Sequence, residues 1–257
     1  SSDVCSSDLL SRSMMDQLQC ARIWAKRELP SVPALWRGER YRHGRIRIAY
    51  LSADFHGHAT AFLMAGVFEH HDKARFETIA ISYGPDDGSP MRERLRNSFD
   101  RFLDVRGQSD FEIATLLREM EIDIAVDLNG HTVGARTGAL AQRPVPIVVN
   151  YLGFPGTMGA PYVDYILADR YVIPPGAERH YSEAVVRLPD TFQANDGGRV
   201  SFEARYQCKD GSYRWLEVTA RPLLDANGSV IGKVGSCRDV HSEVEAWHAL
   251  ERSEQRF

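Results

Sequence analysis

Two glycine-bearing loops contain the side chains of this sequence that could perform acid–base chemistry. The first, residues 52–60, contains His58, and the second, residues 129–136, contains His131 followed by Thr132. A neutral imidazole can take a proton from a hydroxyl group near physiological pH. Each loop is therefore a candidate site for general-base catalysis.

A third loop, residues 153–159, is rich in residues that shape the backbone. It contains three glycines and a proline, including Gly153 and Pro155, together with the hydroxyl of Thr157. No Gly-Lys-Ser/Thr follows, so it is not a P-loop, and it does not follow the first strand, so it is not a dinucleotide fingerprint. The composition indicates a shaped loop at a ligand rather than a generic linker.

Both histidine loops also have a simpler interpretation. Asp54 and Thr60 could cap a helix that begins there, with His56 and His58 in solvent, and His131 could be exposed at a helix entry. His56 and His58 alternate on an extended segment, but no third ligand accompanies them, so no metal site is predicted. Residue types and spacing alone leave these alternatives open.

An alternation of short apolar segments with helical segments positions the loops. Strands are predicted at residues 47–54, 77–83, 102–105, 123–128, 146–152 and 165–168, and helices at 59–71, 91–101, 110–120 and 135–142. Strands separated by helices of ten to fifteen residues are typical of an α/β fold with a Rossmann-like parallel sheet. Ligands of such sheets bind at the carboxyl ends of the strands, where the three loops lie.

The pattern changes near residue 196. Beyond it, turn sequences at 209–212 and 225–228 separate alternating apolar runs, which predicts a small antiparallel β-meander over 197–241 and a terminal helix over 242–257. Before the sheet, residues 12–44 are predicted to form a helical bridge, with its helix at 12–28, and a linker. Residues 1–11 are expected to be disordered or artefactual, since their Ser-Ser-Asp repeat cannot build a core.

Composition narrows the class of protein. The chain of 257 residues has a net charge of -4, 43% hydrophobic and 26% charged residues, and four scattered cysteines. The small charge gives no reason to expect a nucleic-acid or membrane partner, and no apolar run approaches the roughly 20 residues of a membrane helix. Scattered cysteines without a close CxxC pair, and no signal peptide, predict a cytoplasmic protein.

Five successive motifs resemble one family. They are IRIAYLSADFHGHAT, SYGPDDGSPMRERL, DLNGHTVGAR, LAQRPVPIVVNYLGFPGTMGAPYVDYILADR and HYSEAVVRLPDTFQAND, and they occur in this order within residues 45–196. Together they resemble the N-terminal catalytic lobe of bacterial O-GlcNAc transferases, the SPINDLY-like members of glycosyltransferase family 41.

The resemblance implies an inverting, metal-independent glycosyltransferase of the GT-B fold, which has two Rossmann-like lobes. Such an enzyme moves N-acetylglucosamine from the nucleotide sugar UDP-GlcNAc to Ser or Thr hydroxyls of an acceptor protein or peptide, and needs no further cofactor. By motif position, His58 corresponds to the family's active-site histidine. The residues that correspond to the lining of the cleft between lobes are His131, Thr132, Gly153, Pro155, Thr157 and Tyr181.

The segment after residue 196 departs from that family. The family's second lobe, which receives the phosphates of UDP, does not follow, so the chain is expected to be inactive alone. Instead, FEARYQCKDGSYRWLEVTARPLLDANGSVIGKVGSCRDV looks like the C-terminal half of a PAS sensor domain. Two alternatives to a transferase lobe follow: a PAS-type sensory or dimerisation module on a Rossmann scaffold, forming a homodimer through this segment and the terminal helix, or a chimeric join of two genes.

Overall fold

A parallel sheet of seven strands forms the centre of the first part of the chain. The computed structural model describes residues 13–29, 32–189, 191–194, 200–207, 213–224 and 230–242. Contacts divide the chain into two compact units, residues 1–194 and 195–257, which are described separately.

The first unit alternates strands and helices. Its strands are β1 (Ile46–Ser52), β2 (Phe76–Ser82), β3 (Arg101–Asp104), β4 (Ile124–Asp127), β5 (Ile147–Asn150), β6 (Tyr165–Ala168) and β7 (Ala184–Arg187). Its helices are α1 (Met14–Glu28), α2 (Ala59–Glu69), α3 (Pro90–Ser98), α4 (Asp110–Glu119) and α5 (Thr137–Ala141), with a 3₁₀ turn at Glu178–His180. The strand order is β3-β2-β1-β4-β5-β6-β7, and every neighbouring pair is parallel. The order reverses between β1 and β4, which is where the binding crevice of such a sheet opens.

The predicted α/β class and Rossmann-like parallel sheet are confirmed. Strand β7 was not predicted, because it is four residues long and mostly exposed at an edge, so it lacks the apolar run of a central strand. Helix α5 begins at Thr137, two residues later than predicted, since its preceding residues belong to the β4–α5 loop.

Helix starts follow local capping chemistry. The hydroxyl of Ser109 accepts from the backbone N–H of Glu112, whose side chain returns to the backbone of Ser109, so α4 begins with a capping box. Ser89 caps α3, with Pro90 in the first turn. The cap of α2 is His58 itself, whose ring accepts from the backbone N–H of Thr60.

The core lies on both faces of the sheet. On one face, Tyr50 of β1 packs with Met64 and Phe68 of α2 and with residues of α3. On the other face, Leu51 of β1 packs in a cluster that includes Ala25 of α1 and residues of α4 and α5. Because both faces are covered, the central strands contain near-continuous apolar runs, such as residues 48–51 in β1, as is typical of a parallel sheet.

The second unit contains three antiparallel strands, β8 (Val200–Gln207), β9 (Tyr213–Leu224) and β10 (Val230–Asp239), in the order β10-β9-β8. The hairpin pattern of the sequence therefore predicts these strands correctly. The predictions for residues 1–11 lie outside the described residues, as does the predicted terminal helix beyond Ser242.

A buried arginine ties three parts of the first unit together. Arg92 of α3 is 1% exposed. One guanidinium nitrogen, Nη1, donates to the carbonyl oxygen of Phe55 at 2.8 Å and to Oγ of Ser82 at 2.9 Å. The other, Nη2, donates to Oδ2 of Asp104 at 3.1 Å. The charge therefore joins the β1–α2 loop to the carboxyl ends of β2 and β3.

Replacing this arginine should be costly. Arg92→Met removes three hydrogen bonds and leaves the Asp104 carboxylate without its buried partner, so we expect a loss of about 3 kcal/mol or more in the free energy of unfolding. Arg94→Met, which removes an exposed pair with Glu69, should cost less than about 1 kcal/mol. Urea denaturation of both variants measures the difference, and equal losses would contradict the assigned role of Arg92.

Candidate functional site

A buried amide organises the crevice between β1 and β4. Asn129 is fully buried just after β4. Its Oδ1 accepts from the backbone N–H of Ala53 at 2.8 Å and from the hydroxyl of Tyr83 at 3.0 Å. Its Nδ2 donates to Oδ2 of Asp54 at 2.8 Å and to Oγ1 of Thr132 at 3.2 Å. All the hydrogen-bonding positions of the amide are used, so the ends of the two strands are locked to each other.

His58 lies at the open end of this network. Its Nδ1 accepts from the backbone N–H of Thr60 at 3.3 Å and lies 3.8 Å from Oδ2 of Asp54. The side chain is 44% exposed, so the remaining nitrogen, Nε2, can meet a ligand. The predicted caps, Asp54 and Thr60, are therefore wrong: His58 caps α2, Asp54 binds the amide of Asn129, and the same histidine also borders the crevice.

The loop that carries His58 is held on both sides of its turn. Arg92 donates a hydrogen bond to the carbonyl oxygen of Phe55, as described above. On the other side, Oδ2 of Asp87 accepts from the backbone N–H of Gly57 at 2.8 Å. This hydrogen bond, with others from Ser89, lowers the pKa of Asp87 to about 2. Burial lowers the pKa of His56 from its ordinary value. Neither anchor could be predicted from the sequence, because Asp87 and Arg92 come at least 30 residues later and only the fold brings them to this loop.

The side chain of His131, unlike that of His58, is buried and faces the 153–159 loop. It is 6% exposed, and its Nε2 lies 3.0 Å from the carbonyl oxygen of Met158. Its ring meets those of Trp24 and Phe154 edge to face, with centroids 4.6 and 5.3 Å apart. Burial lowers its pKa. The expectation of an exposed His131 is therefore wrong, and Thr132, the next residue, is the one that joins the Asn129 network.

The 153–159 loop is anchored by a buried carboxylate. Thr157 Oγ1 donates to Oε2 of Glu183 at 2.8 Å and accepts from the backbone N–H of Ser182 at 3.1 Å. Oε1 of Glu183, which is 4% exposed, accepts from the backbone N–H of Met158 at 2.6 Å. Sequence reasoning missed Glu183, although its place beside Tyr181 in the last motif was the available signal.

The remaining predicted residues shape the same loop. A Cβ on Gly153 would lie 2.0 Å from the carbonyl oxygen of Leu128, so only glycine lets the loop approach the end of β4 so closely. Pro155 is exposed at the tip, and its carbonyl oxygen accepts from the hydroxyl of Tyr181 at 3.2 Å. The structure thus brings Pro155, Thr157 and Tyr181 into one cluster, while His58 and Thr132 belong to another.

The buried carboxyl of Glu183 should make stability depend on pH. Burial raises its pKa above the ordinary 4.5. Above that pH the unfolded chain ionises while the folded protein keeps its proton, so the free energy of unfolding should fall as pH rises toward the raised pKa. Glu183→Gln cannot ionise, so its stability should improve relative to wild type as the pH rises from 4.5 toward the raised pKa of Glu183.

Denaturant titrations at several pH values measure this difference. Glu119→Gln, which changes an exposed carboxyl at the end of α4, serves as the matched control and should follow the wild-type profile. A constant difference between Glu183→Gln and wild type across the range would contradict the raised pKa.

Two further findings concern metals and membranes. Among the described residues, no group of three or more His, Cys, Asp or Glu side chains is arranged to hold a metal ion. No helix in the described part of the chain is long and apolar enough to cross a membrane.

Comparison with known families now identifies the class of protein. Residues 33–204 match the model of glycosyl transferase family 41, and residues 178–237 match the model of a PAS fold. The chain belongs to glycosyl transferase family 41. Both resemblances seen in the motifs are thereby confirmed at the level of the family.

Individual relatives agree. The probable UDP-N-acetylglucosamine–peptide N-acetylglucosaminyltransferase SEC of Arabidopsis thaliana is 40% identical over 152 residues, which are 59% of this chain and 16% of the relative. The Caenorhabditis elegans UDP-N-acetylglucosamine–peptide N-acetylglucosaminyltransferase is 35% identical over 157 residues, 61% of this chain and 14% of the relative.

A solved structure is also similar. A mutant O-GlcNAc transferase of Thermobaculum terrenum superposes with a TM-score of 0.64 at 33% identity, covering 70% of this chain and 35% of that one. The chain therefore spans less than a fifth of the two curated relatives above and about a third of this structure.

Proposed function

We propose that the first unit is a catalytic lobe of a protein O-GlcNAc transferase, which transfers N-acetylglucosamine from UDP-GlcNAc to a Ser or Thr hydroxyl. The observation that carries the proposal is the connected series His58, Asp54, Asn129 and Thr132 at the crevice between β1 and β4. It stands in a chain of family 41, whose relatives are named as peptide N-acetylglucosaminyltransferases.

In this proposal His58 takes the proton of the acceptor. The acceptor oxygen attacks the anomeric carbon, the bond from that carbon to the diphosphate breaks, and the hydroxyl proton must go to a base. Nε2 can accept it only when Nδ1 carries the ring hydrogen. A small rotation of the imidazole ring would release the Thr60 N–H. The Nδ1–H group would then donate a hydrogen bond to Asp54, whose Oδ2 lies 3.8 Å from Nδ1.

Asp54 is suited to orient the ring of His58 because its own carboxylate is already held in place. The amide of Asn129 holds Oδ2 at 2.8 Å, and that amide is itself held by three other groups. A carboxylate oriented in advance stabilises the imidazolium that forms without reorganising during the reaction. His131, Thr132, Gly153, Pro155, Thr157 and Tyr181 remain the residues proposed to line the substrate cleft, with His131 and Gly153 acting through packing.

The donor diphosphate needs a partner that these residues do not supply. In the His58 series the N–H groups of Asn129 are already used by Asp54 and Thr132, whereas a leaving diphosphate needs positive charge or free N–H donors. We therefore propose that the chain alone is inactive and that the remaining portion of a complete transferase binds UDP. A cytoplasmic setting, where nucleotide sugars and acceptor proteins meet, belongs to the same proposal.

A hybrid enzyme tests the role of His58. Residues 33–194 would replace the matching segment of the Thermobaculum terrenum enzyme, and transfer to a Ser-containing peptide would be measured. His58→Ala should lower kcat by at least about a hundredfold, as expected for loss of a general base. His56→Ala, in the same loop, is the control and should retain activity within a few-fold of the parent hybrid.

Two results would each contradict one part of the proposal, the first the role of His58 and the second the inactivity of the chain alone. One is an active hybrid in which His58→Ala and His56→Ala have equal effects. The other is turnover of UDP-GlcNAc by the unmodified 257-residue chain that His58→Ala abolishes, which would show that no second lobe is needed.

The PAS match supports a second proposal, for the other unit. Residues 178–237 match that family, and three antiparallel strands lie within 200–239. We propose that this unit is part of a PAS-type sensory or dimerisation module, joined naturally or as a chimera to the transferase lobe. The full chain should then form a homodimer, whereas residues 13–194 should remain monomeric. Light scattering coupled to gel filtration measures both masses, and a monomeric full chain would argue against dimerisation.

A further inference from the structure

A second cavity of the first unit, of about 440 Å³, lies between the C-terminal half of α1, the end of α5 and the segment that connects β5 to β6. Its volume is within the range of small-molecule sites in proteins. Among the described residues that line it, none belongs to the His58 series or to the residues proposed above for the substrate cleft. The cavity is therefore separate from the proposed transfer site.

Backbone contacts fix the walls of this cavity. A Cβ on Gly159 would lie 2.5 Å from the backbone nitrogen of Arg22, so only glycine lets α1 pack this closely on the connecting segment. The backbone N–H of Trp36 donates to the carbonyl oxygen of Arg143 at 2.9 Å, which ties the linker that carries Val32 to the end of α5. The cavity is thus preformed, as most small-molecule sites are.

Two cationic side chains on one face of α1 give the cavity a positive charge without a counter-charge. Arg22 and Lys26 are four residues apart on α1, so they share a helix face, and both line the cavity. Neither side chain has a hydrogen bond or an ion pair within the described part of the chain, and the described lining includes no Asp or Glu. Arg143, the third cation on the cavity, already pairs with Asp164 at 2.8 Å. Like charges at this helical spacing repel, and an anion between Arg22 and Lys26 would remove the repulsion.

The remaining described lining is largely apolar. Leu29 and Val32 follow the two cations along the chain, and Ala141 and Pro161 come from α5 and from the segment before β6. Val32 is 45% exposed, so this apolar surface is open to a ligand. An anionic group on an apolar body therefore matches the cavity, because the cations attract its charge and the apolar side chains gain by burial.

We propose that this cavity binds a carboxylate carried by an aliphatic or aromatic group. The carboxylate lies between Arg22 and Lys26, and the apolar part packs on Leu29, Val32 and Pro161. Such a group occurs in free carboxylic acids and in Asp or Glu side chains beside an apolar residue of a polypeptide. The proposal concerns binding alone and stands whether or not the first unit is part of an active transferase.

Calorimetric titration of the full chain with phenylbutyrate tests the proposal. We expect saturable binding to one site with a dissociation constant on the order of millimolar, given the few atoms of the probe. Phenylbutanamide keeps the shape without the charge and should give no saturable binding. Inorganic phosphate has the charge without the apolar body and should bind at least about tenfold more weakly. Either control probe binding as tightly as phenylbutyrate would overturn the proposal.

Variants of α1 locate the site. Arg22→Gln and Lys26→Gln should each weaken phenylbutyrate binding several-fold, and together by about tenfold or more, because the charged donors are lost. Arg27→Gln removes the same charge from the same helix, but Arg27 pairs with Glu28 and its side chain is 82% exposed, so binding should stay within about twofold. All three changes are at exposed residues, and circular dichroism checks that the variants fold. Unchanged binding in the double variant, or an equal loss in Arg27→Gln, would contradict the site.

A peptide comparison separates the two sources of the carboxylate. An acetylated and amidated Leu-Glu-Leu peptide should bind at least about tenfold more tightly than phenylbutyrate if the site recognises a polypeptide, because the peptide buries more apolar surface. Its Leu-Gln-Leu counterpart should lose that binding. A Glu peptide that binds no better than phenylbutyrate indicates a free carboxylic acid, and a Gln peptide that binds as well as the Glu peptide counts against the cavity as an anion site.

Discussion

The four hydrogen bonds of the Asn129 amide are the constraint on which the crevice depends. A parallel sheet ends in loops whose backbone groups have no ladder partner, and at a switch point two such loops separate. Asn129 fills the gap by binding Ala53 and Asp54 after β1, Tyr83 after β2 and Thr132 beyond β4. Because burial raises the pKa of Tyr83 well above its ordinary value, its hydroxyl stays a donor in this arrangement. Breaking any hydrogen bond of a buried amide that uses all its donors and acceptors is costly, so the loops that Asn129 joins are held rigidly.

The other loops at this edge each depend on one buried ionisable group. Arg92 holds the loop of His58, and Glu183 holds the loop of Thr157. Asp127, which is 3% exposed at the end of β4, accepts from the backbone N–H of Asn129 at 2.9 Å, and burial raises its pKa. Buried ionisable groups of this kind contribute less to net stability than they do to fixing one arrangement of the chain. At a ligand site a single fixed arrangement matters more than added stability, because the substrate must meet side chains that are already in place.

Sequence patterns predicted most of the sheet but less of the site. Alternating apolar segments determine β1 through β6, since strands covered on both faces need unbroken apolar runs. The exposed edge strand β7 has no such run, and with it the role of Glu183 was missed. The direction of His131 was equally out of reach, because its neighbours Trp24 and Met158 are distant in sequence. Spacing places a histidine in a loop, but only packing decides which way the ring points.

The chemical character of this edge explains why one lobe would be insufficient for transfer. His58, Asp54 and Thr132 can accept a proton or orient a hydroxyl, and two arginines of the neighbouring elements already have carboxylate partners, Arg92 with Asp104 and Arg136 with Asp110. A site that took a proton and also neutralised a leaving diphosphate would place cations beside its own base and lower the proton affinity of that base. Dividing the two tasks between separate lobes avoids this conflict, because the base keeps its acidic neighbours and the phosphates find their donors across the cleft.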